Sequence, residues 1–471
     1  MPALSSRGGL SANGFGVNSG VVSAGGPYWF AYFTPIAAST GPYTLPNSSG
    51  GLYVAGTSYA ESPYTGLVPF FTSLNANGTP QFRKILADTS NISVPGFAAA
   101  ADTSGYVYIH GYYVTSPYKT FLAKYAPDGV LQWQQQYSAS GVSLATDNNT
   151  AIAISPQNSI YLTGMDDYTF GSTYPQIIKL NTSGAIQWQY KFPDVSTNDS
   201  SESYVAADPA DNVYLTYPIN APSGSDGTLV VKLNSSGTIQ WQRLLYDAGF
   251  SSSNVGIGPA GIAADASNVY VVSFYRTGSG TYSYQYLIAK YNSSGTLQWQ
   301  RLYNPGNGIP SGIAVDASGN VYVTGNRTVI GFPLPFIVLK YNSSGTLQWQ
   351  RSIDYASVNG DGAFPSNIAV DSYNSMYISA NANGVAGTRT NALVAKLPTD
   401  GSKTGTYTLT GSALYGTYTI TYAAASGSSS TSTFTDAAGS VSTSALSASA
   451  STASLVQQNQ TSNLGNNTVA L

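Results

Sequence analysis

Lys340-Tyr341-Asn342-Ser343-Ser344-Gly345-Thr346-Leu347-Gln348-Trp349-Gln350-Arg351 decides how this chain folds, because the phrase recurs. Lys290 to Arg301 repeats it without change, and Lys232 to Arg243 differs only at Leu233 and Ile239. Weaker copies run Lys179 to Gln189, Lys124 to Gln134 and Ser73 to Arg83. A last copy starts at Lys396-Leu397-Pro398-Thr399-Asp400-Gly401 and loses its ending. Asn-Ser-Ser-Gly is turn chemistry between two β-prone runs, so the phrase reads as strand, tight turn, strand.

The residues upstream complete the unit. Ile313-Ala314-Val315-Asp316 is a short apolar strand, Ala317-Ser318-Gly319-Asn320 a turn, and Val321-Tyr322-Val323-Thr324-Gly325 a second strand. After a variable stretch, Phe336 to Tyr341 is the third strand and Thr346 to Arg351 the fourth. The second-strand Tyr returns at Tyr53, Tyr108, Tyr161, Tyr214, Tyr270, Tyr322 and Tyr377. The turn Gly returns at Gly78, Gly129, Gly184, Gly237, Gly295, Gly345 and Gly401, where a left-handed backbone favours a residue without Cβ. Phe82, Trp133, Trp188, Trp241, Trp299 and Trp349 hold one matched position, and the last copy has Gly405 there. Trp29 precedes Phe82 by 53 residues, one period, so the N-terminal strand is expected to complete the last sheet. The alternative is that Thr406-Tyr407-Thr408-Leu409 fills that slot.

A repeat of roughly 50–58 residues with four strands has the size of a propeller blade. The expected fold is all-β, a seven-bladed β-propeller of four-stranded antiparallel blades whose last blade is closed by the N-terminal strand. Residues 1–28 read as an N-terminal arm, 29–409 as the propeller with 29–34 as its closing strand, and 410–471 as an anchoring or assembly tail. That tail carries one charge, Asp436, and is dominated by Ser, Thr and Ala. Alone it buries too little apolar surface to order itself, so order would come from a partner subunit.

Composition removes several functions. Charged residues make up 8% of the chain, against about 25% in ordinary globular proteins. The net charge of -3 offers no basic field for nucleic acid. With no Cys, disulfides and thiolate metal sites are excluded. No apolar run reaches the roughly 18 residues of a membrane span, and the N-terminus shows no secretory signal.

The run Asp316 to Gly325 resembles the bacterial seven-bladed β-propeller repeat family: an Asp, a Gly-Asn turn, an aromatic strand and a closing Gly. The resemblance spans about residues 43–409 and implies a fold shared by many activities. Two departures are Ser73 and Phe82 in place of Lys and Trp, and Tyr217 in place of the Gly after the strand-two Thr. The Lys-to-Arg phrase and the Ser/Thr/Ala-rich tail after Tyr418-Thr419-Ile420-Thr421 also resemble structural proteins of tailed bacteriophages, particularly marine ones. That implies a virion component, assembled in the host cytoplasm without a signal peptide.

Little catalytic chemistry can be assembled. His110 is the one histidine, so no Ser-His-Asp set or two-His metal site forms within one chain. Glu61 and Glu202 are the only glutamates, which leaves paired-carboxylate chemistry to Asp. Asp166-Asp167 and Asn359-Gly360-Asp361-Gly362 could offer oxygen ligands to Ca²⁺, yet Asp and Asn in turns usually cap their own backbone. No cofactor or metal is expected. Binding is expected on the face of the longer connections, where Tyr112, Tyr113, Tyr118, Tyr168, Phe170, Tyr174, Tyr275, Tyr282, Tyr284 and Tyr355 cluster, with Arg276 nearby.

These readings lead to a non-enzymatic phage virion structural protein, a capsid- or tail-attached propeller. Its partners would be other virion proteins through residues 1–28 and 410–471, a host surface glycan, and further copies of the chain, with no nucleic acid and no membrane insertion. The alternative is a secreted bacterial polysaccharide-binding propeller, and after it a propeller lyase or glycosidase.

Overall fold

The computed structural model describes residues 28–36, 42–59, 67–88, 97–113, 119–139, 151–169, 172–192, 202–221, 225–247, 256–278, 282–327, 336–356, 363–383, 390–410, 417–424, 428–431, 435–438, 444–445, 448–452, 455–459 and 467–470. Every described element is a strand or a turn. The first strand, β1 (Trp29–Ile36), precedes the repeats. Repeat one is β2 (Tyr43–Pro46), β3 (Leu52–Tyr59), β4 (Leu67–Leu74) and β5 (Pro80–Asp88). Repeat two is β6 (Phe97–Ala101), β7 (Val107–Tyr113), β8 (Lys119–Tyr125) and β9 (Leu131–Ala139). Repeat three is β10 (Ala151–Ile154), β11 (Ile160–Thr169), β12 (Ser172–Leu180) and β13 (Ile186–Lys191). Repeat four is β14 (Tyr204–Ala207), β15 (Val213–Asn220), β16 (Asp226–Leu233) and β17 (Ile239–Tyr246). Repeat five is β18 (Gly256–Ala264), β19 (Asn268–Thr277), β20 (Ser283–Asn292) and β21 (Leu297–Asn304). Repeat six is β22 (Pro310–Val315), β23 (Val321–Asn326), β24 (Phe336–Tyr341) and β25 (Leu347–Ala356). The last repeat has β26 (Ala363–Val370), β27 (Ser375–Asn383) and β28 (Thr390–Pro398).

Within each repeat, consecutive strands pair antiparallel, so the structure is all-β and built of four-stranded antiparallel sheets. The sheets of repeats four and five are joined by one parallel bridge, Asp226 to Gly256. In the last repeat the fourth place belongs to β1, with Trp29 opposite Lys396 as Trp349 is opposite Lys340. First strands lie beside one another in the order β2, β6, β10, β14, β18, β22, β26, and β26 lies beside β2. These inner strands are small and apolar and buried along their length, because sheets cover both of their faces. The core is accordingly a series of clusters between neighbouring sheets. One of them packs Trp29, Tyr377, Ala392 and Val394 against Leu52, Val54 and Phe70.

The chain after the last repeat takes a different course. It continues as β29 (Gly405–Thr410), β30 (Thr417–Ala424), β31 (Ser428–Thr431), β32 (Thr435–Ala438), β33 (Ser444–Ala445), β34 (Ala448–Thr452), β35 (Leu455–Asn459) and β36 (Asn467–Ala470). From β30 onward each strand adds to the outer edge of a different sheet. Its partners are, in turn, β25, β21, β17, β13, β9, β5 and β1, all antiparallel. The described strands of residues 410–471 therefore lie on the chain's own sheets. Among the described residues, β29 pairs only with β30, outside β25.

Candidate functional site

The repeated phrase explains itself first. In its turn, the Asn342 side-chain oxygen accepts bonds from the Ser344 and Thr346 amides and from the Ser344 hydroxyl. Gly345 stands at φ +77°, and a Cβ there would meet the Trp299 ring of the preceding repeat at 2.7 Å. Trp299 and Lys290 both donate to the Ser343 carbonyl, at 3.1 and 3.0 Å, and Arg301 donates to the Gly345 carbonyl. The same latch joins repeat four to five through Trp241, Lys232 and Arg243, and repeat six to the last through Trp349, Lys340 and Arg351. Trp29 donates to the Ala76 carbonyl of repeat one, and Lys396 to the Gly50 carbonyl. Repeat one lacks both Lys and Trp, and there the Tyr53 hydroxyl reaches the corresponding carbonyl, that of Pro127. The recurring Lys and Trp thus serve contacts between sheets.

The Asp turns are equally occupied. Asp316 accepts the Ser318 and Asn320 amides with one oxygen, and the Asn320 side chain and Tyr322 hydroxyl with the other. Lys340 lies 5.2 Å from the centroid of the Tyr322 ring. A recess of about 440 Å³ opens among these turns, lined by Pro209, Asp265, Lys290, Asp316 and Ser343. The Asp and Lys side chains there already bond their own turns or the next repeat. This leaves the recess little free hydrogen-bonding chemistry.

His110 is buried in β7, and its Nδ1 lies 3.1 Å from the Phe121 carbonyl. A carbonyl only accepts, so Nδ1 carries the proton. Burial holds the imidazole down at about 4, against an ordinary 6.5. A neutral, enclosed ring of this kind is structural. Among the described residues no group of three His, Asp or Glu could hold a metal ion. Asn359 to Gly362 lies outside the described residues.

The face of the longer connections is described best at repeat five. β19 and β20 pair there as a long hairpin, with Arg276 opposite Tyr284 and Thr277 opposite Ser283. Tyr282 is 38% exposed, the one exposed aromatic ring among the described residues. The Arg276 guanidinium sits 4.8 Å from its centroid, and Tyr284 meets it edge-on at 6.4 Å. Phe274 backs Tyr284 in turn at 6.0 Å, and the Tyr284 amide donates to the Asn307 side chain. Arg276 is itself buried, with the Asp226 carboxylate of repeat four 3.7 Å away. Asp226 approaches closely because Gly256 faces it, and a Cβ on Gly256 would fall 3.0 Å from the Asp226 Cβ. Beside this pair, the Tyr275 hydroxyl donates to Asp247 at 2.8 Å, and burial first, then Asp247, raises the phenol above its ordinary range.

Of the ring residues singled out in the sequence, Tyr282 and Tyr284 come together. Tyr275 is buried instead in the intersheet cluster of Leu245, Ile257 and Leu287. Tyr112 is buried within β7 and presents no open ring. Tyr113, Tyr168, Tyr174 and Tyr355 lie in strands whose side chains are outside the described residues, as Tyr118 and Phe170 are altogether. Asp226 and Asp247 escaped sequence reading. The run Gly224-Ser225-Asp226-Gly227 looks like an ordinary turn, and nothing local announces an arginine from the next repeat.

The β-propeller repeat family matches residues 298–326, from the fourth strand of repeat five to the second strand of repeat six. No curated protein matches the chain. Among solved structures, the polysaccharide lyase Uly1 is similar at a TM-score of 0.45 and 10% identity, covering 84% of this chain and 98% of that one. The NanB sialidase of Streptococcus pneumoniae is similar at 0.41 and 10%, covering 80% and 71%. The Bacillus subtilis arabinanase Arb43A is similar at 0.32 and 12%, covering 77% and 95%. The expectation of a non-enzymatic phage virion protein is corrected by these findings. The matches reported are carbohydrate-active enzymes, and none points to a phage or a marine source. Their low similarity transfers no reaction or catalytic residue to this chain.

Proposed function

We propose that this chain is a seven-bladed β-propeller that binds carbohydrate on the face of its longer connections, with Tyr282 as the stacking platform. The ring closure is supported by hydrogen bonds between the last repeat and repeat one. Thr44 donates to Asn367 at 2.7 Å, Tyr373 to the Ser48 carbonyl at 3.1 Å, and Trp29 to the Ala76 carbonyl at 3.0 Å. The observation that carries the binding role is Tyr282, exposed yet held by a buried arginine and a second tyrosine. A sugar ring presents an apolar C–H face that packs on an aromatic plane, and a ring already fixed loses little entropy on binding. The Arg276 cation behind the ring adds a contact that solvent does not screen fully.

The test is retention on immobilised polysaccharides and an oligosaccharide array, with released reducing ends measured in the same incubations to register cleavage. Tyr282→Ala should weaken binding at least tenfold, about 1.4 kcal/mol, without moving the melting temperature. Tyr282→Phe, which keeps the ring, should bind like the parent. Equal binding by the alanine variant, or no retention on any glycan, would remove this reading.

A further inference from the structure

The C-terminal strands point to a second function within the fold. We propose that residues 417–470 form a strap that occupies the outer edge of every sheet and locks the ring-closing strand β1 from outside. The sheets were built in the order of repeats one to seven, and the strap visits repeats six, five, four, three, two and one before ending on β1. Each visit is short, from two paired residues on β13 to six on β25. The links between successive visits are also short, such as 446–447 and 453–454. A chain so tethered reaches only the next sheet, so the order of visits follows from link length.

Two physical arguments support a locking role. First, a fourth strand with an open edge is a row of unpaired N–H and C=O groups and a template for foreign strands. The strap pairs that row on each sheet, and its Ser, Thr and Ala side chains with a single charge suit a segment whose binding runs through its backbone. Second, β1 enters its sheet from the opposite end of the chain, so no hairpin connects it to β28. Without β36 it would be an edge strand held on one side only. With β36, Trp29 to Tyr32 are paired on both sides, to Lys396–Leu393 within the sheet and to Ala470–Asn467 outside it.

The test uses the full chain carrying Thr468→Pro and Val469→Pro together. Successive amides of a strand point to opposite sides, so one of these two faces β1 and is removed. Hydrogen exchange of the Trp29–Tyr32 amides should accelerate at least tenfold, while Val321–Thr324 in repeat six keep their parent rates. A chain shortened after Asn459, which loses only β36, should give the same pattern. Adding the peptide of residues 460–471 to that shortened chain should restore slow exchange at β1. Unchanged exchange at β1 in either variant would overturn the lock. Acceleration spread equally over repeat six would overturn it too, because it would mean general loosening.

Discussion

His110 stands where Thr163, Thr216 and Thr324 stand in other repeats. Each of those threonines donates to a carbonyl of the third strand, at 2.7, 2.9 and 3.0 Å, and His110 makes the equivalent bond to Phe121. The exchange has an electrostatic cost in acid. The folded-state imidazole titrates near 4 and the unfolded one near 6.5, so the unfolded chain binds the extra proton between those values. Stability is fully present above pH 6.5 and falls as pH drops toward 4, by on the order of 3 kcal/mol if burial persists. His110→Thr should flatten that part of the stability curve, measured by urea midpoints between pH 4 and 7. A parent curve already flat there would contradict the burial argument. At this scale much was legible, since the fixed offsets of Lys, Gly and Trp report a contact made once per repeat. Ring exposure was not legible. Tyr112, Tyr275 and Tyr282 look alike in a variable stretch, yet the first two are buried and the third is open. What separates them is the neighbouring repeat, which local sequence does not contain.

Among the elements, β1 bears more than its length suggests. Trp29 and Phe30 are almost fully buried, in two different intersheet clusters, so this strand seals a sheet on both faces. Burying two such side chains stabilises by roughly 3–6 kcal/mol before the ladder is counted. Deleting residues 1–36 should therefore lower the melting temperature by at least 10 °C, read by circular dichroism, with loss of less than that arguing that β29 moves into the vacated place. The spacing of Trp29 from Phe82 made this strand visible beforehand. Beyond its first strand, where Tyr415 to Tyr422 alternate as a strand does, the strap was invisible for a physical reason. Its strands pair through backbone groups, which every residue carries, and short Ser/Thr/Ala runs hold no apolar period to betray a buried face. Composition therefore suggested a segment awaiting a partner subunit, whereas the strands complete the edges of the chain's own sheets.

Across the molecule, buried phenols set the response to alkali. Tyr108, Tyr161, Tyr214, Tyr270, Tyr322 and Tyr377 all have their pKa raised, by burial first and then by an adjacent aspartate. In the unfolded chain they ionise near pH 10, and in the folded protein they stay protonated beyond it. Their contribution is complete below pH 10 and is lost as pH rises past it, each phenol adding up to ~1.4 kcal/mol per pH unit. Urea midpoints should hold steady from pH 7 to 9 and collapse between 10 and 11. A gradual decline from pH 8 would point instead to solvent-exposed groups. The intersheet latch has a consequence of its own. In repeats four to six the indole, ammonium and guanidinium all reach forward to the next repeat's turn, so the assembly has a sense of direction. A molecule cut at one of its connections would expose donors on one flank and bare carbonyls on the other. Two halves produced as separate polypeptides therefore have a single complementary way to meet, head to tail, and the handedness of that union is written in side chains instead of in covalent continuity.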